Sequence, residues 1–325
     1  CAHCPWRSVV KSQGLLKPPA VVKGSGFSII APASSAKPER IDSGRNALRA
    51  LGYLPEFGRN TLEREPLYFA GTPDQRLDDL HAAFADSDTS AIMALRGGYG
   101  SNYLLDDLAF DVISSNPKPF FAYSDLTGIQ LRLLDELGLP VFHGPMLAAD
   151  FYREDGVHLP SFNAALSGEP YSVGPDEGLR LLKRGSGPSV VGGTLYGGCL
   201  SIILTMLATP WEPCTEGALL FLEDLACKPY QVDRMLWQMR HARKLEGVAG
   251  IIFGEMLNCV SPGAPPDLLD DAILSALDGF KGPIAIGLRS GHVSRQNVTL
   301  TFGVEAELVT DGEPRLNILE PAVAP

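Results

Sequence analysis

Apolar positions in the first half of this chain fall into two kinds of block. Phe27–Ala31, Ala91–Leu95 and Phe120–Tyr123 are short continuous apolar runs, the pattern of strands buried on both faces. Between them the spacing becomes helical. Pro38 opens a stretch carrying Ile41, Leu48 and Leu51 on one side, stopped by Gly52. Thr72-Pro73-Asp74-Gln75 is a capping box with proline at the first helical position, and Leu77, Leu80 and Phe84 follow on one face. Asp125–Leu137 puts Leu126, Ile129, Leu133 and Leu137 on a single stripe, and Pro140–Pro145 brings another strand end with polar groups. Strands alternating with amphipathic helices predict a mostly parallel sheet covered on both faces, where ligands gather beyond the carboxyl ends of the strands.

The pattern dissolves into Gly, Pro, Ser and charge between 167 and 187, which predicts a linker. Beyond it, short strands at 189–191, 218–222, 251–254, 284–287, 298–302, 307–310 and 316–319 crowd together. Helices near 200–208, 232–245 and 267–278 are interleaved with them. The expected organisation is an irregular segment 1–25, an α/β domain 26–166, the linker 167–187, and a β-rich α+β domain 188–325.

Composition narrows the classes. A hydrophobic share of 45% with 20% charged residues is that of a globular protein. The net charge of −11 and the lack of any basic run argue against a nucleic-acid surface. No apolar segment approaches the length of a bilayer span. Six cysteines are scattered, and only Cys1 and Cys4 form a C-x-x-C pair, so neither a zinc site nor a disulfide framework is expected. A cytoplasmic location follows as the expectation, with a periplasmic or Cys1-anchored form as the alternative.

Ser124 ends an apolar strand and opens a helix. Such a serine either caps the helix or stands as a nucleophile beside free N–H groups. The segment lacks the glycines of a G-x-S-x-G elbow, since Ala122 and Leu126 occupy those places. Glu223-Asp224 follows the buried run Ala218–Leu222, as solvated loop acids or as an acid that orients a histidine. His292, after Gly291 in the loop beyond Pro283–Gly287, has the most suggestive histidine setting, with His143 its rival at another strand end. Ser124, Glu223 and His292 would form a nucleophile, orienter and base. Arg96-Gly97-Gly98-Tyr99-Gly100-Ser101 could supply oxyanion donors, or cradle a phosphate across Gly97–Ser101 in a non-catalytic nucleotide-binding protein. Arg96 could bind a terminal carboxylate or be a structural arginine.

Ala31-Pro32-Ala33-Ser34, Arg96-Gly97-Gly98-Tyr99-Gly100, Tyr123-Ser124-Asp125-Leu126-Thr127 and Phe142-His143-Gly144-Pro145-Met146 stand in one order. Gly197-Gly198-Cys199-Leu200-Ser201, Leu222-Glu223-Asp224, Pro229-Tyr230-x-x-Asp233-Arg234-Met235-Leu236 and Gly291-His292 continue it. From about residue 25 onwards the chain resembles the LD-carboxypeptidases, serine peptidases that include muramoyltetrapeptide carboxypeptidases. The resemblance implies a flavodoxin-like N-terminal domain carrying the nucleophile and a β-rich C-terminal domain carrying the acid and base. It implies an active site in the cleft between them, commonly a homodimer, and no metal or other cofactor.

Carried over, Ser124 is the nucleophile, His292 the base and Glu223 its orienter, with the Gly98 and Asp125 N–H groups as the oxyanion hole. Arg96, Tyr99 and His143 are the candidates for substrate contact. The implied reaction is removal of the terminal D-alanine from a murein tetrapeptide during peptidoglycan recycling. The related microcin C self-immunity proteins share the triad and cleave aminoacyl-nucleotide conjugates. The family usually has Asn at the place of Cys199, acidic residues at Cys227-Lys228 and Arg at Gln231, so these departures bear on substrate identity.

Overall fold

The computed structural model describes residues 14–325; the Cys1–Cys4 pair therefore lies outside the described residues. Strands β1 (Gly26–Ile30), β2 (Leu54–Phe57), β3 (Thr89–Ala94), β4 (Phe120–Ala122) and β5 (Val141–His143) lie parallel in the order β2-β1-β3-β4-β5. This is the flavodoxin-like order, in which the direction of strand addition reverses between β1 and β3. The continuous apolar runs bury Phe27, Ile29, Ile92, Phe120, Phe121 and Phe142 completely. The connecting helices are α1 (Pro38–Ala50), α2 (Pro73–Ala85), α3 (Phe110–Ser115) and α4 (Thr127–Leu137), with α5 (Leu159–Ser167) after β5. The capping box at α2 is closed both ways. Thr72 N–H donates to Gln75 Oε1 at 2.9 Å, and Gln75 N–H donates to Thr72 Oγ1 at 3.3 Å.

One arginine organises the loops beyond the carboxyl ends of β1 and β3. Arg76, on α2 and 2% exposed, donates at 2.8 Å to the carbonyls of Pro32 and Gly100 and lies over the ring of Phe69. It ties the loop after β1 to the loop after β3. Arg76→Leu removes the donor from two carbonyls at once, and is expected to lower stability by about 3 kcal/mol. A denaturant titration that finds wild-type stability in this variant contradicts that role.

The second unit is a mixed eight-stranded sheet. Its strands are β6 (Tyr171–Val173), β7 (Arg180–Lys183), β8 (Val190–Cys199), β9 (Ala218–Glu223), β10 (Gly250–Gly254), β11 (Ile284–Leu288), β13 (Glu305–Val309) and β14 (Arg315–Ile318). They are ordered β6-β14-β13-β8-β9-β10-β11-β7. The four from β8 to β11 are parallel, and the outer strands join antiparallel. Helices α6 (Leu200–Thr205), α7 (Pro229–His241) and α8 (Leu268–Ala276) connect the parallel core.

Two sequence expectations are corrected. The stretch 167–187 is no linker, because β6 and β7 within it are strands of the second sheet. Both are outermost strands flanked by Gly and Pro, so their hydrophobic signal is weak. The boundary at 188–325 is also wrong. The first unit runs to Glu169 and regains Arg295–Gly303 and Pro321–Pro325, while the second comprises Pro170–Ser294 and Val304–Glu320. The apolar run near 300 forms β12 (Leu300–Phe302), which pairs antiparallel with β5 at the edge of the first sheet. Residues 14–25 also pack on the first unit, through Leu16 N–H to Gly138 and Val21 N–H to Leu166. Among the described residues no helix is long and apolar enough to cross a membrane.

Candidate active site

Strand β4 ends at Ala122, and Ser124–Leu126 forms one 3-10 turn before α4. Ser124 is partly exposed and sits at φ +65°, in the left-handed region that a side chain enters only at a cost. Among the described residues its hydroxyl makes no hydrogen bond, while its carbonyl accepts from Thr127 N–H. The capping role is therefore not the one adopted. The strain is held by fully buried neighbours on both sides, Phe120 to Ala122 before it and Leu126 after it.

The loop after β3 packs against this corner. A Cβ added to Gly97 would lie 2.8 Å from Ser124 Cβ and 3.4 Å from the Asp125 nitrogen, so only glycine allows the approach. Ser34 N–H donates to Gly97 O, Tyr99 N–H donates to Ser34 Oγ, and Ser101 N–H donates to Asp125 Oδ2 at 2.9 Å. The Gly98 and Asp125 N–H groups meet no acceptor among the described residues. The amides of Tyr99 and Ser101 are thus committed to protein acceptors, which leaves this loop poorly equipped to cradle a phosphate. Asp125 turns its carboxyl inward. Burial pushes that carboxyl up, while the Ser101 hydrogen bonds and the Arg76 charge oppose the shift.

In the second unit, Glu223 is the last residue of β9 and is fully buried. Its Oε2 accepts from His292 N–H at 3.0 Å and lies 2.7 Å from His292 Nδ1. The solvated-loop reading of Glu223 is therefore not what the chain adopts. Gly291 makes the double contact feasible. It stands at φ +86°, and a Cβ there would come within 2.6 Å of Glu223 Cδ. The imidazole remains partly exposed while its Nδ1 side is clamped. Asp224 has a different task, accepting from Ser201 N–H at 2.8 Å near the start of α6.

Cys199, Cys227 and Cys259, which form no disulfide, lie in this unit. Burial, then the nearby Glu223 and Asp224 charges, raise Cys199 well above a free thiol. Burial and Asp224 push Cys227 to about 12, and burial raises Cys259 to about 11. All three are held as thiols and do not compete as nucleophiles.

The substrate-contact candidates separate. Arg96 and Tyr99 are exposed near the glycine pair. His143 is fully buried, stacked on Phe302 at 5.1 Å and packed near Tyr123 at 5.8 Å, so its place as a substrate-facing residue is corrected to one in the core. Its burial follows from β12, which pairs Leu300 with His143. Asp150 escaped sequence reasoning. It lies in a π-helical turn, Leu147–Phe151, fully buried, and bonds Met146 N–H, Arg153, Asn297 and the Tyr123 side chain. No sequence period announces such a network.

The LD-carboxypeptidase N-terminal domain family matches residues 28–144, and the LD-carboxypeptidase C-terminal domain family matches residues 192–308. The chain belongs to the LD-carboxypeptidase family. A relative from Bacillus subtilis (strain 168), named probable murein peptide carboxypeptidase, is 34% identical over 90% of this chain and 92% of its own. The microcin C7 self-immunity protein MccF of Escherichia coli is 26% identical over 94% of this chain and 96% of its own. The crystal structure of muramoyltetrapeptide carboxypeptidase from Oxalobacter formigenes superposes with a TM-score of 0.79 at 29% identity, covering 91% of this chain and 99% of that one. This member of the LD-carboxypeptidases carries Ser124 within the stretch matched by the N-terminal family, and Glu223 and His292 within that matched by the C-terminal one.

Proposed function

We propose that the protein is a serine LD-carboxypeptidase that removes the terminal D-alanine from murein tetrapeptides, acting through Ser124, His292 and Glu223. The observation that carries this reading is Ser124. Among the described residues its hydroxyl is uncommitted at a strained corner, beside two backbone N–H groups that meet no acceptor. The Glu223–His292 pair supplies the matching base. A carboxylate on Nδ1 fixes the tautomer and leaves Nε2 to exchange protons.

In this reading His292 Nε2 takes the Ser124 proton as Oγ attacks the scissile carbonyl. The Gly98 and Asp125 N–H groups hold the resulting oxyanion, each worth about 3 kcal/mol in the transition state. The imidazolium returns its proton to the leaving nitrogen, which departs as D-alanine. Water, deprotonated by His292, then attacks the acyl-enzyme and regenerates the Ser124 hydroxyl. The same reading makes the protein a homodimer, as the family resemblance implies, and keeps the cytoplasmic location expected from its cysteine usage.

The match to the microcin self-immunity protein supports a second reading on the same machinery: hydrolysis of an aminoacyl-nucleotide conjugate. Incubation with a D-Ala-terminated murein tetrapeptide and with such a conjugate, followed by mass spectrometry, separates the two. The expected result is loss of one alanine from the tetrapeptide. Cleavage of the conjugate alone overturns the murein assignment.

A further inference from the structure

An open cavity of about 580 Å³ lies in the first unit, walled by Ser35, Ala36 and Lys37 from the loop after β1 and by Arg96 from the end of β3. Arg64 and Glu39 complete its rim. It therefore opens beside the point where strand order reverses, the place at which sheets of this topology take ligands. Its charge stands out in a chain of net charge −11. Lys37, Arg64 and Arg96 face it against one carboxylate, Glu39.

The two guanidiniums are held by backbone. Arg64 donates to Ala36 O at 3.1 Å, and Arg96 donates to Ser35 O at 3.3 Å. Each keeps further N–H donors uncommitted, and none of the three cations is in an ion pair among the described residues. An Arg96 terminal nitrogen lies 3.4 Å from where a Cβ on Gly98 would sit. The positive rim thus reaches the glycine whose N–H is assigned above to the oxyanion.

We propose that this cavity binds the free α-carboxylate of the residue that leaves, with Arg96 nearest the scissile bond and Arg64 and Lys37 completing the cationic wall. The inference rests on the catalytic reading above and extends it to substrate choice. In a terminal residue the carboxylate carbon is three bonds from the scissile carbonyl carbon. Its receptor must therefore adjoin the oxyanion donors, as the Arg96 guanidinium adjoins Gly98. Planar guanidiniums suit a carboxylate through paired, charge-assisted hydrogen bonds. A chain end carrying a carboxamide would gain none of this attraction, which would make the enzyme an exopeptidase by charge.

The test measures calorimetric binding of the murein tetrapeptide and of its C-terminal carboxamide to Ser124→Ala protein, with and without Arg96→Gln, Arg64→Gln and Lys37→Gln together. The acid is expected to bind at least tenfold more tightly than the carboxamide. The added substitutions should bring that ratio close to one while leaving carboxamide affinity unchanged, which also shows the variant is folded. A ratio that survives the substitutions, or no preference for the acid at the outset, overturns the proposal. Cation-dependent binding of inorganic phosphate with acid and carboxamide indistinguishable also overturns it, in favour of a phosphate site. The catalytic reading fails on a different result, continued hydrolysis of the tetrapeptide by Ser124→Ala, so the two failures are separable.

Discussion

Replacing Ser124 by alanine is expected to abolish turnover, with a fall in kcat of about 10⁴-fold or more. The thermal transition should stay within about 2 °C of the wild type. The two parts of this expectation come from separate features. The hydroxyl makes no hydrogen bond among the described residues, so its loss removes no polar fold contact there. The backbone at φ +65° is strained equally for serine and alanine, so the strain does not change either. Steady-state hydrolysis of the tetrapeptide and a melting curve on the same preparation check both. A Ser124→Ala enzyme that retains more than a few per cent of wild-type kcat would show that the nucleophile lies elsewhere.

Glu223→Gln is expected to lower kcat by about 10³ to 10⁴-fold with little change in KM. One carboxylate oxygen, Oε2, now serves both His292 N–H and Nδ1. An amide presents one acceptor oxygen and one NH₂ donor. Whichever faces the ring, the carboxylate charge that supports an imidazolium is gone. Because Glu223 is fully buried, no solvent replaces that charge. A variant that changes KM and leaves kcat untouched would move Glu223 from orienting the base to binding substrate.

Much of this was legible in the chain, for definite reasons. Strands on the first sheet are short unbroken apolar runs because helices cover both faces, so Phe27–Ala31 and Ala91–Leu95 announce themselves. The Thr72–Gln75 box is a local chemical device and reads the same in sequence and in space. The Ser124 corner and the Glu223 strand end are likewise local, each an abrupt change from apolar to polar.

Features made by distant pairing were not legible. Strand β2 is Leu-Pro-Glu-Phe, an outermost strand with Leu54 exposed, and it carries no apolar run. The return of β12 to the first sheet depends on registry with His143, which no period encodes. That same pairing puts His143 beneath Phe302, so a strand-end histidine that reads as a site residue is a core residue. Arg76 looks like a solvated helix arginine until the Pro32 and Gly100 carbonyls are placed around it.

The central claim is that His292, steadied by Glu223, activates Ser124. Its most direct test is the rate at which a fluorophosphonate labels the protein, followed by intact mass and peptide mapping, in the wild type and in His292→Ala. The account predicts one adduct on Ser124 in the wild type and labelling at least a hundredfold slower in the variant. An adduct on another residue, or equal rates in the two proteins, would contradict it.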